Sequence, residues 1–281
     1  MMAHDIAGGR VIAAMLKPCR DVGYEAAVCA EGPAFPVLAA EAAECLRQDW
    51  QEEMECADVL ITGTSASADY DSNGWNAARD RGVGSVAILD ASINLATRFR
   101  LSQPDWICAL DDASRIELER LPSRRAQIVV TGQPHLERIN RLVREQSRPS
   151  DRPVLVYFSE PVVAESGRKN DIGFEQFGVA QALLQTLTAE SQLTLLIKPH
   201  PNEDTSLWHR WLASVNRPAN VQVEVTGHDA VALLGAASGG AGMASMALVE
   251  AATVGLPVLA LQPGRSRVPN PLIDASENIE L

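Results

Sequence analysis

Short apolar runs of strand length alternate with amphipathic stretches of helical period along nearly the whole chain, and this alternation limits the fold more than any other feature. In the first half, Tyr24–Ala30, Asp58–Thr62, Gly84–Leu89, Trp106–Leu110 and Gln127–Thr131 are predicted strands. Arg10–Asp21, Phe35–Arg47, Asn73–Arg81, Asp112–Arg120 and His135–Arg144 are predicted helices. Strand followed by helix, with short connections, is the pattern of a parallel sheet covered by helices on both faces.

The pattern breaks once, at Glu145–Pro153, where EQSRPSDRP is polar, holds two prolines and has no apolar period. Such a stretch reads as an interdomain linker. The alternation then restarts. Val154–Phe158, Leu193–Lys198, Val221–Val225 and Pro257–Leu261 are predicted strands, and Glu175–Thr188, Ser206–Val215, Asp229–Ala236 and Ala244–Val254 predicted helices. The expectation is an α/β protein of two Rossmann-like domains facing across a cleft, residues 1–147 and 153–281. Both termini read as shortened. Only Met1, Met2 and Ala3 precede His4-Asp5-Ile6-Ala7-Gly8-Gly9, which reads as the Gly-containing loop after a first strand, so that strand is expected to be missing or stunted. The C-terminal IDASENIEL follows a strand with no closing helix.

A chain of 281 residues with 46% hydrophobic side chains has enough apolar mass for a sizeable core. Its net charge of −12 argues against nucleic acid or an anionic membrane as a broad partner, because both need a basic footprint. A small anionic ligand stays open, since a few local donors hold one. Cys19, Cys29, Cys45, Cys56 and Cys108 form no C-x-x-C pair and read as reduced thiols of a cytoplasmic protein. No apolar run approaches the ~20 residues of a membrane span.

Two segments carry chemistry. Leu195-Leu196-Ile197-Lys198-Pro199-His200-Pro201 is a strand ending in a Lys and a His held between prolines. Ligands of open α/β sheets bind off the carboxyl ends of strands, and an ammonium beside an imidazole there suits phosphate oxygens. The bland alternative is a turn whose His caps a neighbouring helix. In the second segment, Ser238-Gly239-Gly240-Ala241-Gly242-Met243-Ala244-Ser245 reads as a small-residue loop entering a helix, whose free N–H groups and dipole suit an anion. Glu250 is the lone charge of that helix and is expected to have a partner, either a ribose diol or an Arg, unless it faces solvent.

These residues carry a resemblance. The second half resembles the donor half of GT-B proteins, the superfamily of nucleotide-sugar glycosyltransferases that includes UDP-N-acetylglucosamine 2-epimerases. Bacterial surface-polysaccharide members end a strand in K-x-H-P, matched by Lys198-Pro199-His200-Pro201. They follow a glycine/serine loop with S-x-x-x-x-E-A and G-x-P-V, matched by Ser245 to Glu250-Ala251 and by Gly255 to Val258. The resemblance implies that His200 and Ser245 contact the diphosphate and that Glu250 contacts ribose, and the two segments themselves add Lys198, Gly240 and Gly242 as candidates for the same diphosphate site. Val130-Thr131-Gly132-Gln133-Pro134 is similar to the V-T-G-N-P element closing the first lobe of epimerase-like members. Ser159-Glu160-Pro161, Asp90 and Arg98-Phe99 are similar to elements of other polysaccharide-biosynthesis proteins. The epimerase pattern D-S-G-G is broken, since Ala237 stands where the acid belongs.

The catalytic candidates lie in the first half. His4 and Asp5 sit where GT-B transferases often keep their base, which takes a proton from the acceptor hydroxyl; the other use of Asp5 is to cap a helix. Asp90 ends a predicted strand and either meets acceptor hydroxyls or caps a turn. Arg98 meets an anionic acceptor or is a surface Arg. Gly167-Arg168-Lys169-Asn170 is a basic loop that either closes over phosphate or is simply solvated. Trp208 and Trp211 read as packing residues.

The resemblance implies a glycosyltransferase that moves a sugar from a nucleoside-diphosphate donor to a cell-surface glycan or its precursor. A nucleotide-sugar epimerase or hydrolase is the second reading, and a non-catalytic nucleotide-sugar-binding relative the third. No metal and no cofactor beyond the nucleotide sugar is expected. The expected partners are that sugar and a glycan or small-molecule acceptor, with a second copy of the chain as a further option. The expected location is the cytoplasm, with the inner face of the membrane as an alternative.

Overall fold

A computed structural model describes residues 1–122, 125–146, 152–161, 174–187 and 192–262. The chain divides into two compact units, Met1–Arg138 and Ile139–Leu281.

The strands of the first unit are β1 (Met2–Ala3), β2 (Val28–Ala30), β3 (Leu46–Arg47), β4 (Val59–Thr62), β5 (Gly84–Ile88), β6 (Trp106–Ala109) and β7 (Gln127–Val130). Its helices are α1 (Ile6–Asp21), α2 (Ala34–Glu41), α3 (Trp50–Met54), α4 (Tyr70–Arg81), α5 (Leu95–Arg98), α6 (Asp112–Glu119) and α7 (Pro134–Gln146). The division between the units falls inside α7, whose Ile139 and Val143 pack into the core of the second unit. The sheet is parallel throughout, in the order β3-β2-β1-β4-β5-β6-β7.

The first strand is present, two residues long and central. Met2 pairs with Cys29 and Thr62, and Ala3 with Ala30. Because side chains alternate across a strand, these two residues feed both cores. Met2 packs with Leu60, Trp75, Ala87 and Ile107, whereas Ala3 packs with Ile12, Val28 and Leu38.

Residues 4–9, expected as a Gly-containing loop, instead turn into α1 at Ile6. The glycines serve contact. A Cβ on Gly63 would lie 2.6 Å from the Cα of Gly8, and one on Gly9 would lie 3.1 Å from the Cβ of Ala34. Helix α1 thus crosses the end of β4 backbone to backbone.

The second unit contains β8 (Val154–Phe158), α8 (Gln176–Thr186), β9 (Thr194–Lys198), α9 (Thr205–Ser214), β10 (Gln222–Val225), α10 (Ala230–Ala236), β11 (Gly239–Gly242), α11 (Met246–Thr253) and β12 (Val258–Ala260). Its parallel sheet runs β10-β9-β8-β11-β12. Strand β8 is covered on both faces. Tyr157 joins Leu195, Ile197 and Trp208 on one side, and Val154, Val156 and Phe158 join Leu233 and Leu248 on the other. Trp208 is fully buried and stands edge-on to Trp211, with ring centroids 5.5 Å apart.

Residues 239–242, expected as part of a loop, form a strand beside β8. Gly-Gly-Ala-Gly has poor strand propensity, but close packing selects it. A Cβ on Gly242 would meet the Phe158 carbonyl at 2.8 Å, and one on Gly240 would meet Ala251 at 3.3 Å. The Gly167–Asn170 loop, most of the Glu145–Pro153 stretch and the C-terminal IDASENIEL lie outside the described residues.

The α1–β4 crossing yields a prediction. Gly63→Ala forces two backbones apart and lowers stability by about 1–3 kcal/mol in urea unfolding. Gly84→Ala, with nothing within 4 Å of its added Cβ, leaves the urea midpoint within experimental error.

Candidate functional site

In each sheet the connections reverse direction at one point, and the crevice off the strand carboxyl ends at such a point is where open α/β sheets take ligands. In the first unit the reversal lies between β1 and β4, and the residues that follow β1, β4 and β5 gather there.

After β1, the imidazole Nδ1 of His4 lies 2.9 Å from Asp5 Oδ1. Asp5 occupies the N-cap position of α1 but makes no capping bond. Its carboxylate instead accepts from Ser67 Oγ at 2.6 Å and from the Ala66 N–H at 3.3 Å. Burial alone would push its carboxyl up, but hydrogen bonds from Ser67, His4, Ser65 and the Ala66 N–H outweigh it and hold Asp5 below its ordinary value. With Nδ1 turned to the carboxylate, Nε2 is the free ring position. It lies against Gly32, at φ +54, where a Cβ would stand 2.5 Å from Nε2.

After β4 and β5, Thr64 and Asp90 meet. Asp90 accepts from the Thr64 hydroxyl and from Arg98 Nη1 at 2.7 Å. The same guanidinium donates to the Thr64 carbonyl at 2.9 Å and the Ile93 carbonyl at 3.0 Å. Burial pushes the Asp90 carboxyl up, while Arg98 and Thr64 oppose it. Both partners are buried, at 2% and 8% exposure. Arg98 is therefore neither an anion-facing group nor a surface Arg. It is consumed in fastening the β4 and β5 loops together. The amide of Gln133 adds a third tie, donating to the Asp90 carbonyl at 2.7 Å. Asn94, in the same loop, has φ +58. A left-handed non-glycine residue is uncommon and gathers at functional loops.

One group here escaped the sequence reading. Asp71, in the first turn of α4, is 3% exposed, and its carboxyl has no side-chain hydrogen-bond partner, only a backbone bond from Ser65. Burial raises its pKa well above the ordinary range, and the charges of Asp90 and Asp5 add to this against Arg98. Ser92 Oγ and Gln133 Oε1 are buried without a partner. An acid in a polar helix start gives no sequence signal of burial, so only the packing identifies it.

In the second unit the reversal lies between β8 and β11. Lys198 ends β9 and is half-buried. The turn after it is fastened by Glu203, whose carboxylate accepts from the His200 N–H at 2.6 Å, Ser159 Oγ at 2.8 Å and Trp208 Nε1 at 3.2 Å. His200 Nδ1 accepts from the Asn202 N–H at 3.1 Å, so in the neutral ring the proton sits on Nε2. The sequence reading missed Glu203, although its place three residues after His200 in a Pro-rich turn was visible.

The backbones of Gly240 and Gly242 belong to the β11 ladder rather than to a loop; the Gly240 N–H donates to the Pro257 carbonyl at 2.9 Å. Their assignment to the diphosphate is thereby corrected to packing. The mouth of α11 begins later. Ser245 is its N-cap and accepts from the Ala247 N–H at 3.2 Å, which leaves its own hydroxyl proton for a ligand. The Ala244 N–H donates to Glu160 Oε2 at 2.7 Å. A carboxylate of the chain thus holds a place expected for phosphate. Burial raises the Glu160 carboxyl, the Ala244 bond opposes this, and the Glu203 charge adds to it. Glu250 is 3% exposed, which excludes the solvent-facing reading.

Two tandem parallel units of Rossmann type, each with polar groups gathered at its switch point, define the GT-B fold. No protein-family model and no curated protein matches the sequence, but solved structures share the fold. The S. aureus MnaA–UDP structure is 14% identical, with TM-score 0.64 over 94% of this chain and 79% of that one. A putative UDP-N-acetylglucosamine 2-epimerase from Listeria monocytogenes is 13% identical, with TM-score 0.66 over 92% and 78%. Anabaena HepE in complex with UDP-glucose is 16% identical, with TM-score 0.55 over 92% and 79%. At these identities the likeness is one of fold. Among the described residues no helix is long and apolar enough to cross a membrane.

Two outcomes follow. Arg98→Leu leaves the buried Asp90 without its counter-charge and lowers stability by about 3–5 kcal/mol in urea unfolding. Glu160 has a raised pKa in the fold, so its favourable contribution is complete below the unfolded carboxyl value and fades as pH rises through the folded one. Glu160→Gln therefore raises Tm at about pH 7 and leaves it unchanged near pH 4.

Proposed function

We propose that this chain is a nucleotide-sugar enzyme of the GT-B kind that transfers a sugar from a nucleoside-diphosphate donor to a glycan or glycan precursor. The observation that carries the reading is the switch point of the second unit. The rigid Lys198–His200 turn and the mouth of α11 follow strands on either side of β8, two strand spacings or ~10 Å apart. A diphosphate bound there takes the His200 Nε2 proton on one side, and the Ser245 hydroxyl with the helix N-terminus on the other. Lys198 supplies positive charge and Glu250 serves ribose. The Glu160 carboxylate yields its place at Ala244 to the phosphate, aided by its raised pKa. Structures of the same fold hold UDP, in S. aureus MnaA, and UDP-glucose, in Anabaena HepE.

For the chemistry, the His4–Asp5 pair suits a general base. The carboxylate orients the ring, and Nε2 is the atom that accepts the acceptor's proton. Asp90 and Arg98 act by positioning the loops beside it.

A specific observation favours a second reading, in which the enzyme epimerises or hydrolyses the nucleotide sugar. That chemistry needs convergent carboxylates, and Asp5, Asp71 and Asp90 are electrostatically coupled in the first unit. Incubation with UDP-N-acetylglucosamine and no acceptor separates the two. Unchanged donor supports transfer, and an altered or released sugar supports the second reading.

The binding test is a thermal-shift series with UDP, GDP, CDP and TDP. One nucleotide is expected to raise Tm, and His200→Ala to weaken its binding by about tenfold, the loss of one charge-assisted hydrogen bond. Equal shifts in the wild type and the variant would remove His200 from the site.

A further inference from the structure

The first unit has a pocket that the reading above does not use, with a volume of about 470 Å³. It is lined by the last turn of α4, the segment from α5 toward β6 and the segment from α6 toward β7. Each of these leads into a strand, whereas His4, Thr64 and Asp90 follow strands, so the pocket lies toward the edge of the sheet away from the switch point. Among the described residues its lining carries three arginines, Arg79, Arg100 and Arg125, and no carboxylate. In a chain with 36 acidic against 24 basic side chains, that is a local inversion of the average charge.

The three arginines differ in use. Arg79 fastens the wall. It donates to Asn76 Oδ1 at 3.1 Å, to Ser102 Oγ at 3.3 Å and to the Gln103 carbonyl at 2.8 Å. Gln103 Oε1 accepts from the Arg125 N–H at 2.8 Å and the Ala126 N–H at 3.4 Å. These bonds tie all three segments together, so the pocket is shaped before a ligand arrives. The Arg125 side chain is exposed, and its guanidinium makes no hydrogen bond or ion pair among the described residues. Arg100 reaches Asp69 at 2.9 Å, but these two side chains are 57% and 52% exposed, and such pairs hold weakly. Apolar residues complete the lining. Phe99 is buried and stacked on Trp75, Leu121 is partly buried, and Leu101 is 54% exposed.

We propose that this pocket binds an organic phosphate monoester, with the phosphate on the Arg100 and Arg125 guanidiniums and the carbon part on Phe99, Leu101 and Leu121. The donor set selects the class. Guanidinium N–H groups donate and never accept, so the ligand must bring acceptors and negative charge. The planar fork matches phosphate oxygens bidentately, and a dianion balances two arginines better than a single carboxylate does. The volume is in the range of roughly 300–1,000 Å³ typical of pockets for organic ligands, and the apolar lining offers nothing to bare phosphate. A soluble phosphate ester and the headgroup of a phosphatidic acid share this chemistry. None of these residues is assigned to the donor or the base above, so the proposal stands without that reading.

The full chain is titrated by calorimetry with hexyl phosphate, hexanoate, hexanol and inorganic phosphate, with and without saturating UDP. Hexyl phosphate is expected to bind, with hexanoate and inorganic phosphate each about tenfold or more weaker and hexanol undetected. Arg100→Ala and Arg125→Ala are each expected to weaken hexyl phosphate by about tenfold. Arg20→Ala, at another exposed arginine, leaves it unchanged. Both pocket variants keep Tm within about 2 °C, because exposed side chains contribute little to stability. Vesicles of phosphatidylcholine with phosphatidic acid identify the source. Sedimentation with them that Arg125→Ala abolishes assigns a lipid headgroup, and ester binding without sedimentation assigns a soluble ligand; either result supports the pocket. Hexyl phosphate that does not bind, that binds no better than hexanoate, or that binds equally to both variants overturns the proposal. So does its displacement by UDP, which moves the ester to the nucleotide site. Ester binding through Arg100 and Arg125 in a chain that binds no nucleotide sinks the nucleotide-sugar reading and keeps this one.

Discussion

A parallel sheet forces every one of its strands to end on the same edge, and the rest of this structure depends on that constraint. The order β3-β2-β1-β4-β5-β6-β7 brings the residues after β1, β4 and β5 together, although His4, Thr64 and Asp90 are far apart in the chain. The order β10-β9-β8-β11-β12 does the same for His200, Glu160 and Ala244. A crossover that must climb over the sheet face returns each strand to the same starting edge. Polar loops therefore accumulate at the opposite edge, where backbone groups are not taken up by the ladder.

The two switch points use charge differently. In the first unit a buried ion pair does mechanical work. Arg98 and Asp90 neutralise one another, and the surplus donors of the guanidinium tie down the Thr64 and Ile93 carbonyls. Desolvating such a pair is expensive, so its value lies in the position it imposes on two loops. Asp71 sits beside that pair without a counter-charge of its own. In the second unit, Glu203 stitches the Pro-His-Pro turn to Ser159 and Trp208, while the neighbouring Glu160 occupies the Ala244 N–H. One acid makes the turn rigid, and the other places its carboxyl at the mouth of a helix.

Glycine marks the places where backbones touch. Gly8 and Gly63 let α1 cross the end of β4, and Gly240 and Gly242 let β11 lie under α11 and beside β8. Gly8, Gly240 and Gly242 read from sequence as loop glycines, because a glycine has the same local signature whether it supplies a turn or removes a Cβ from a crossing. Which use applies is decided by the element that packs opposite.

The sequence by itself determined the α/β class, the parallel character of the sheets and most of their elements. Those properties follow from local apolar periodicity and from turn residues, and runs such as Val154–Phe158 carry them outright. It also pointed to the turn at Lys198 and His200, because two prolines and a strand end are local signals. The tertiary structure alone decided that Arg98 is buried against Asp90, that Glu203 and Glu160 govern the second switch point, and that Asp71 is a buried acid with no side-chain partner. Charge, burial and hydrogen bonding at those positions are set by residues distant in the chain. An Asp at a helix start or an Arg after a short helix looks the same in sequence whether it faces water or the interior.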